Sequence, residues 1–281
     1  VRDFGLYSGP WGPGRIDLSN NQIFDGGSNN GYQDQKRFKP QFYTTLSYFK
    51  DGWKGSHDVR VGYDWKRDRR SLFRDQPFDV FYRDATTNPA ALGAGISQVD
   101  LYNTPVTGIN DVTYNAAWVN DTWKLNDRLT LNLGLRFEAY RDGWPEQTVA
   151  SSGLPQLAAW PADYRPEERA RYLSFIAPRT VEARTVASTN TLAPRLGLAY
   201  DLTGDNRTVL KAYVGQTRWN SADTLADVEN PVGIAQLRYA FLPCTATRTT
   251  QCDLNGNGLL DSPFELGAFN ATQGGAGFVR V

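Results

Sequence analysis

The sequence predicts an all-β chain, a fragment of an antiparallel transmembrane β-barrel with long extracellular loops, and three observations carry that prediction. Apolar and polar residues alternate through several stretches of strand length, and the strands join in pairs across short polar turns. The pairs are joined by long connections, 73–111 and 142–190, rich in Pro, Gly and aromatic residues. Connections this long are uncommon in compact soluble domains, whereas a membrane barrel has short turns on one side and long loops on the other.

The first hairpin is predicted from PQFYTTLSYF (40–49), which puts Phe42, Thr44, Leu46 and Tyr48 on one face, and HDVRVGYDWKRD (57–68), where Val59, Val61, Tyr63 and Trp65 oppose Asp58, Arg60, Gly62, Asp64 and Lys66. Between them KDGWKGS (50–56) turns on two glycines. The second pairs YNAAWVNDTWK (114–124) with RLTLNLGLRFEAYRDG (128–143), and the third pairs PRLGLAYDL (194–202) with RTVLKAYVGQ (207–216) across TGDN. Leu129, Leu131, Leu133, Leu135, Leu196 and Leu198 are expected to face lipid. Arg60, Asp64, Arg136, Glu138, Arg195, Asp201 and Lys211 are expected to face the lumen. In the second long connection, YRPEERARYLSFI (164–176) starts on Pro166 with acids in its first turn and reads as a short helix ornamenting the loop.

An apolar face of about five residues, at roughly 3.3 Å per residue, covers much of an apolar band of roughly 25 Å. Aromatics near the strand ends, Tyr48, Trp53, Trp65, Trp118, Trp123, Tyr140, Trp144, Tyr200 and Trp219, read as an interfacial girdle. A soluble sandwich also alternates, so a secreted β-sandwich binding protein or enzyme is a second reading of the pattern.

Composition restricts the partners. Thirty basic and thirty acidic residues cancel, which disfavours nucleic acid, and no run of about 18 apolar residues offers a spanning helix. The two cysteines, Cys244 and Cys252, read as a loop clasp formed in an oxidising compartment, with two unpaired thiols as the other reading of the same spacing. The chain contains no methionine and starts at Val1 without a signal-like segment, which suggests an internal piece of a longer protein.

The residues AAWVNDTWKLNDRLTLNLGLRFE (116–138) resemble a late-barrel hairpin of TonB-dependent outer-membrane receptors. APRLGLAYDLTGDNRTVLKAYVGQ (193–216) resembles the next hairpin, and GSHDVRVGYDW (55–65) is similar to an earlier strand pair; together they look most like the Oar-like branch. The resemblance covers about residues 33–72 and 112–219. It implies residence in the outer membrane of a Gram-negative bacterium, contact with lipid, and energised uptake or sensing of an extracellular ligand with a plug and the TonB complex as partners. On this reading residues 1–281 are a partial barrel domain lacking the plug, the amino-terminal domain and the final strands. About six crossing strands stand here against about 22 in a full plugged barrel. A passive channel or an adhesin barrel would use the same lipid face without energy coupling.

Candidate chemistry is sparse. DLNGNGLLDSPFE (253–265) spaces Asp253, Asn255, Asn257 and Asp261 like the oxygen donors of a calcium loop, with the Leu259 carbonyl between. Its twelfth position is Phe264, however, and Glu265 comes one residue late, so calcium competes with a plain turn-rich loop. His57 is the only histidine and lies beside a turn, an interfacial position rather than a base. GGAGF (274–278) lacks a phosphate-loop Lys. Loop aromatics Trp144, Trp160, Tyr164 and Tyr172 are candidates either for ligand stacking or for packing the loop on itself. No enzymatic activity is expected from these residues.

Overall fold

The computed structural model describes residues 13–19, 22–24, 32–84, 96–217 and 224–270; Trp219 and the Gly-rich 274–278 lie outside them. In chain order the strands are β1 (Gly14–Asp17), β2 (Gln22–Phe24), β3 (Tyr32–Phe38), β4 (Gln41–Asp51), β5 (Ser56–Asp75), β6 (Val80–Asp84) and β7 (Ile96–Tyr102). They continue as β8 (Val106–Lys124), β9 (Leu129–Trp144), β10 (Gln147–Val149), β11 (Arg179–Val181), β12 (Arg184–Asp201), β13 (Val209–Gly215) and β14 (Gln236–Ala240). Helix α1 (Pro166–Ile176) precedes β11, and α2 (Thr224–Glu229) precedes β14.

The predicted hairpins form one antiparallel wall, ordered β13-β12-β9-β8-β5-β3 with β4 also on β5, curled into half a barrel. β3 and β4 share one edge of β5: Phe38 stands opposite Arg69 and Gln41 opposite Lys66, so the two are a single strand in unbroken register. The break falls at Pro40, which has no N–H for the ladder, although its carbonyl still accepts from the Arg67 amide at 3.1 Å.

The wall strands are longer than alternation suggests. β5 runs for 20 residues and β8 for 19, where the pattern reads clearly only over 57–68 and 114–124. The cause is visible in Arg67, Asp68, Arg69 and Arg70: charges fall on both faces, so the period-2 signal fades while the backbone ladder to β8 continues. A strand of 20 residues extends about 65 Å, far more than a tilted crossing of the apolar band requires, so the loop-end half of the wall stands beyond that band.

The long connections are not irregular, and here the expectation is corrected. Residues 14–17 and 22–24, parts of 73–111 and the chain after β13 build a second sheet, ordered β14-β7-β6-β1-β2, in which β1 pairs with β6 in parallel. Beneath it Tyr82, Leu101, Leu157, Trp160, Tyr172 and Phe241 form an apolar core. Helix α1 supplies Tyr172 to that core, so it is a structural member rather than an ornament. These strands are too short, at three to seven residues, to show alternation, and the pairings of β1 with β6 and of β7 with β14 join segments distant in sequence.

Candidate functional site

The register assigns every wall residue to one of two faces, because side chains of directly paired residues point the same way. Leu133 pairs with Leu196, Leu131 with Leu198, and Leu135 with Pro194 across β9 and β12. Leu129 stands beside Tyr200, so all six predicted leucines share a face with Val61, Tyr63 and Trp65 of β5. Nothing in the described residues covers that face: Leu133 is 37%, Leu135 42% and Leu196 51% exposed.

The same register corrects the girdle. Tyr48, Trp65, Trp123 and Tyr200 lie on the leucine face, but Trp118 stands opposite Arg136 and Tyr140 opposite Tyr114, on the polar face. Trp118 lies over Gly62, where a Cβ would come within 2.3 Å of the indole. That close approach accounts for a glycine amid the charged residues of β5.

On the polar face Arg136 is the hub. Its Nη2 donates to Asp64 Oδ2 at 2.7 Å and to the Tyr114 hydroxyl at 2.9 Å, and its Nε donates to Glu138 Oε1 at 2.7 Å. Tyr114 in turn donates to Glu138 Oε1 at 2.7 Å. Four side chains from three strands thus satisfy one another in a partly buried cluster. Arg195 shares this face, and its Nε is buried without a hydrogen-bond partner among the described residues. Arg60 pairs with Asp58 at 2.7 Å. Lys211 is exposed on β13, the wall's edge strand. Asp201 does something else: its carboxylate accepts the Gly204 and Asn206 amides, both at 2.9 Å, and so caps the β12–β13 turn.

A feature not legible in the sequence crosses the loop end of this polar face. Residues 224–235 form a strap against β8, β9 and β12, held by an ion pair between Asp227 and Arg70 and by the Ala226 amide on Asp142 Oδ2 at 3.4 Å. Asn230 donates to Ile109 O at 3.1 Å and Asn110 Oδ1 at 2.7 Å. The strap sits so close that a Cβ on Gly108 would meet Val232 O at 2.4 Å. Asn103 binds its far end, donating to Gly233 O at 3.1 Å and accepting from the Ala235 amide at 2.7 Å.

The second sheet is rigidified by buried ion pairs. Asp100, fully buried, accepts from Arg83 Nε at 2.7 Å and Arg238 Nε at 2.5 Å. Trp160 and Tyr172 stack at 5.9 Å inside the core, and Trp144 is buried with its Nε1 on Glu182 O, so these aromatics pack the loops. Burial pushes the Tyr82 and Tyr172 phenols up to about 12, which keeps both neutral and leaves each hydroxyl as an acceptor, for the Leu260 and Leu154 amides respectively.

The calcium-like loop closes on itself. Asp253 accepts the Gly256 and Gly258 amides at 2.9 and 2.7 Å, and the Asn255 and Asn257 side chains both donate to Asp261 Oδ2, at 2.8 and 2.6 Å. Glu265, buried, accepts the Leu254, Asp261 and Ser262 amides. The Leu259 amide donates to Asn257 Oδ1 at 2.7 Å. Among the described residues no three His, Cys, Asp or Glu side chains converge as metal ligands. Cys244 and Cys252 form a disulfide beside this loop.

At the short-turn end of the leucine face His57 Nδ1 lies 2.7 Å from Asp121 Oδ2, its ring stacked on Trp123 at 5.1 Å. Asp121 pairs opposite Val59 and Leu133, so a carboxylate stands among apolar residues and keeps a partner. Trp123 donates to Lys54 O at 3.0 Å, which ties the cluster to the turn.

Comparison with known proteins agrees with this geometry. The profile of a family described as an outer membrane beta barrel domain matches residues 4–278. Among curated proteins none matches the chain. Solved structures similar to it include two forms of one receptor. The open form of the ferric-catecholate import receptor Fiu from E. coli K12 is 17% identical over 75% of this chain and 26% of that one, with a TM-score of 0.36. The closed form is 14% identical over 74% and 28%, with a TM-score of 0.39. The chain spans about a quarter of that receptor's length.

Proposed function

Because this chain belongs to the outer membrane beta barrel domain family, with residues 4–278 matched, we propose that it is wall and outer face of a TonB-dependent receptor of the Oar-like branch in the outer membrane. The receptor takes up or senses a scarce extracellular ligand. The observation that carries the reading is the polar face: a hydrogen-bonded hub of Arg136, Asp64, Glu138 and Tyr114 below, and the inward strap 224–235 above. The hub supplies a polar surface on which a plug could rest, and the strap lies across the loop end of the same face; both support the receptor reading. Arg60, Arg195 and Lys211 face the plug on this reading, and the leucine face meets lipid. Calcium, if it enters 253–261, does so by displacing the internal hydrogen bonds that Asp261 now accepts.

The test uses the full-length protein reconstituted in planar bilayers and mixed with the periplasmic part of TonB. Binding to TonB and a closed resting conductance are expected. A steady conductance with no TonB binding would move the chain to the passive-channel class. The soluble sandwich is set aside by the family match.

A further inference from the structure

Two arginines stand on the leucine face immediately beyond its aromatic row. Along β5 that face reads Val61, Tyr63, Trp65, then Arg67 and Arg69, and the register to β8 is unbroken throughout. Arg67 and Arg69 both donate to Asp111 Oδ2, at 2.6 and 2.5 Å, with side chains 40% and 38% exposed. One carboxylate serves two guanidinium groups, so one positive charge is left over.

Neighbouring strands add to the excess. Arg141 joins the same face through Thr113, the residue opposite both Arg141 and Arg67, and its hydrogen bonds go to neutral acceptors, Tyr140 O, Thr189 O and Asn190 Oδ1. Lys36, opposite Ser71, is paired with exposed Asp34 at 3.5 Å. Among the described residues at this end of the face the four cations Arg67, Arg69, Arg141 and Lys36 stand with three carboxylates, Asp34, Asp111 and the buried Asp75 opposite Tyr32, so one positive charge is in excess.

We propose that Arg67, Arg69 and Arg141 bind the phosphate groups of phosphorylated lipids of the outer leaflet. The inference rests on the lipid-facing reading of the leucine face. A ligand here must lay apolar chains on Leu135, Val61 and Trp65 and carry its anionic group one or two residues further along the strand, which is the layout of a phospholipid or phosphoglycolipid. Guanidinium forks suit phosphate oxygens, and their aliphatic stems lie on the apolar surface below. Asp111 holds both forks toward the same point and competes with the phosphate for them.

The experiment places the full-length receptor in phosphatidylcholine nanodiscs doped with diphosphoryl lipid A or with its dephosphorylated form, and reads retained lipid by native mass spectrometry. Retention of the diphosphoryl form by roughly fivefold over the other is expected, from about one excess charge at the membrane surface. Arg67→Gln with Arg69→Gln removes that preference, and Asp111→Asn, which frees both forks, raises it. Heat-modifiable gel mobility reports folding; should the double variant not fold, the wild type and Asp111→Asn decide alone. Equal retention of the two lipids, or no gain in Asp111→Asn, overturns the proposal. Recovery of the receptor without detergent in the aqueous fraction would instead overturn the membrane reading on which it stands.

Discussion

The wall and the second sheet are both β structures, yet they handle apolar surface in opposite ways. On the leucine face of the wall Leu46, Tyr48 and Leu196 are more than half exposed, while in the second sheet Val99, Leu101 and Tyr239 have no exposed surface. An apolar face left open along a whole wall marks a surface for contact with something else, whereas the second sheet closes on its own core. The polar residues follow suit. Those of the wall satisfy one another in a partly buried cluster, as Arg136 and Glu138 do, and those of the second sheet are fully buried pairs such as Asp100 with Arg238.

The strongest way to test this contrast is to damage each region and ask whether the other notices. Asp100→Ala strands two buried guanidinium groups and should destabilise the second sheet by about 3–5 kcal/mol, read as protease cleavage of the outer loops while heat-modifiable mobility of the barrel stays intact. Concerted loss of both signals would mean that the two regions are one cooperative unit. Leu133→Arg makes the complementary change in the wall. It should cost about 2–4 kcal/mol when the barrel is unfolded from lipid, and almost nothing if that leucine faces water.

A smaller effect belongs to the junction. Gly108→Ala pushes a methyl into Val232 O and should loosen the strap by about 1–3 kcal/mol, seen as faster cleavage within 224–235 with both sheets unchanged. The smallest effect is a pH dependence. Burial raises the Glu265 carboxyl above its ordinary value near 4.5, despite the backbone amides that pull the other way. A raised carboxylate in the folded state binds its proton more tightly than the unfolded chain does, so its contribution is fully present in acid and is lost as pH rises from that ordinary value through the raised one. Thermal unfolding of the outer loops, followed by Trp160 fluorescence, should therefore shift downward across that window, and a flat profile would exclude Glu265 as its source.

Much of the wall was legible because a single two-residue alternation runs along a whole strand. Leu129, Leu131, Leu133 and Leu135 alternate without exception, and their partners Leu196 and Leu198 repeat the pattern, so faces could be assigned before any pairing was known. The aromatics obeyed the rule less well. Trp118 and Tyr140 lie on the polar face because their amphipathic rings pack equally beside Gly62 and Tyr114, and residue type alone does not separate those environments. Asp201 was placed on its side by parity, but its job as a turn cap depends on amides two to five residues later.

The sequence by itself determined the hairpins, the leucine face and the charges opposite it, because a period of two is a local property of extended chain and needs no knowledge of neighbours. Tertiary structure alone decided the second sheet, the strap and the arginine pair at Asp111. Each joins residues far apart in sequence, Asp100 with Arg238, Asn110 with Asn230, Arg69 with Asp111, and nothing in the local pattern of either partner announces the other.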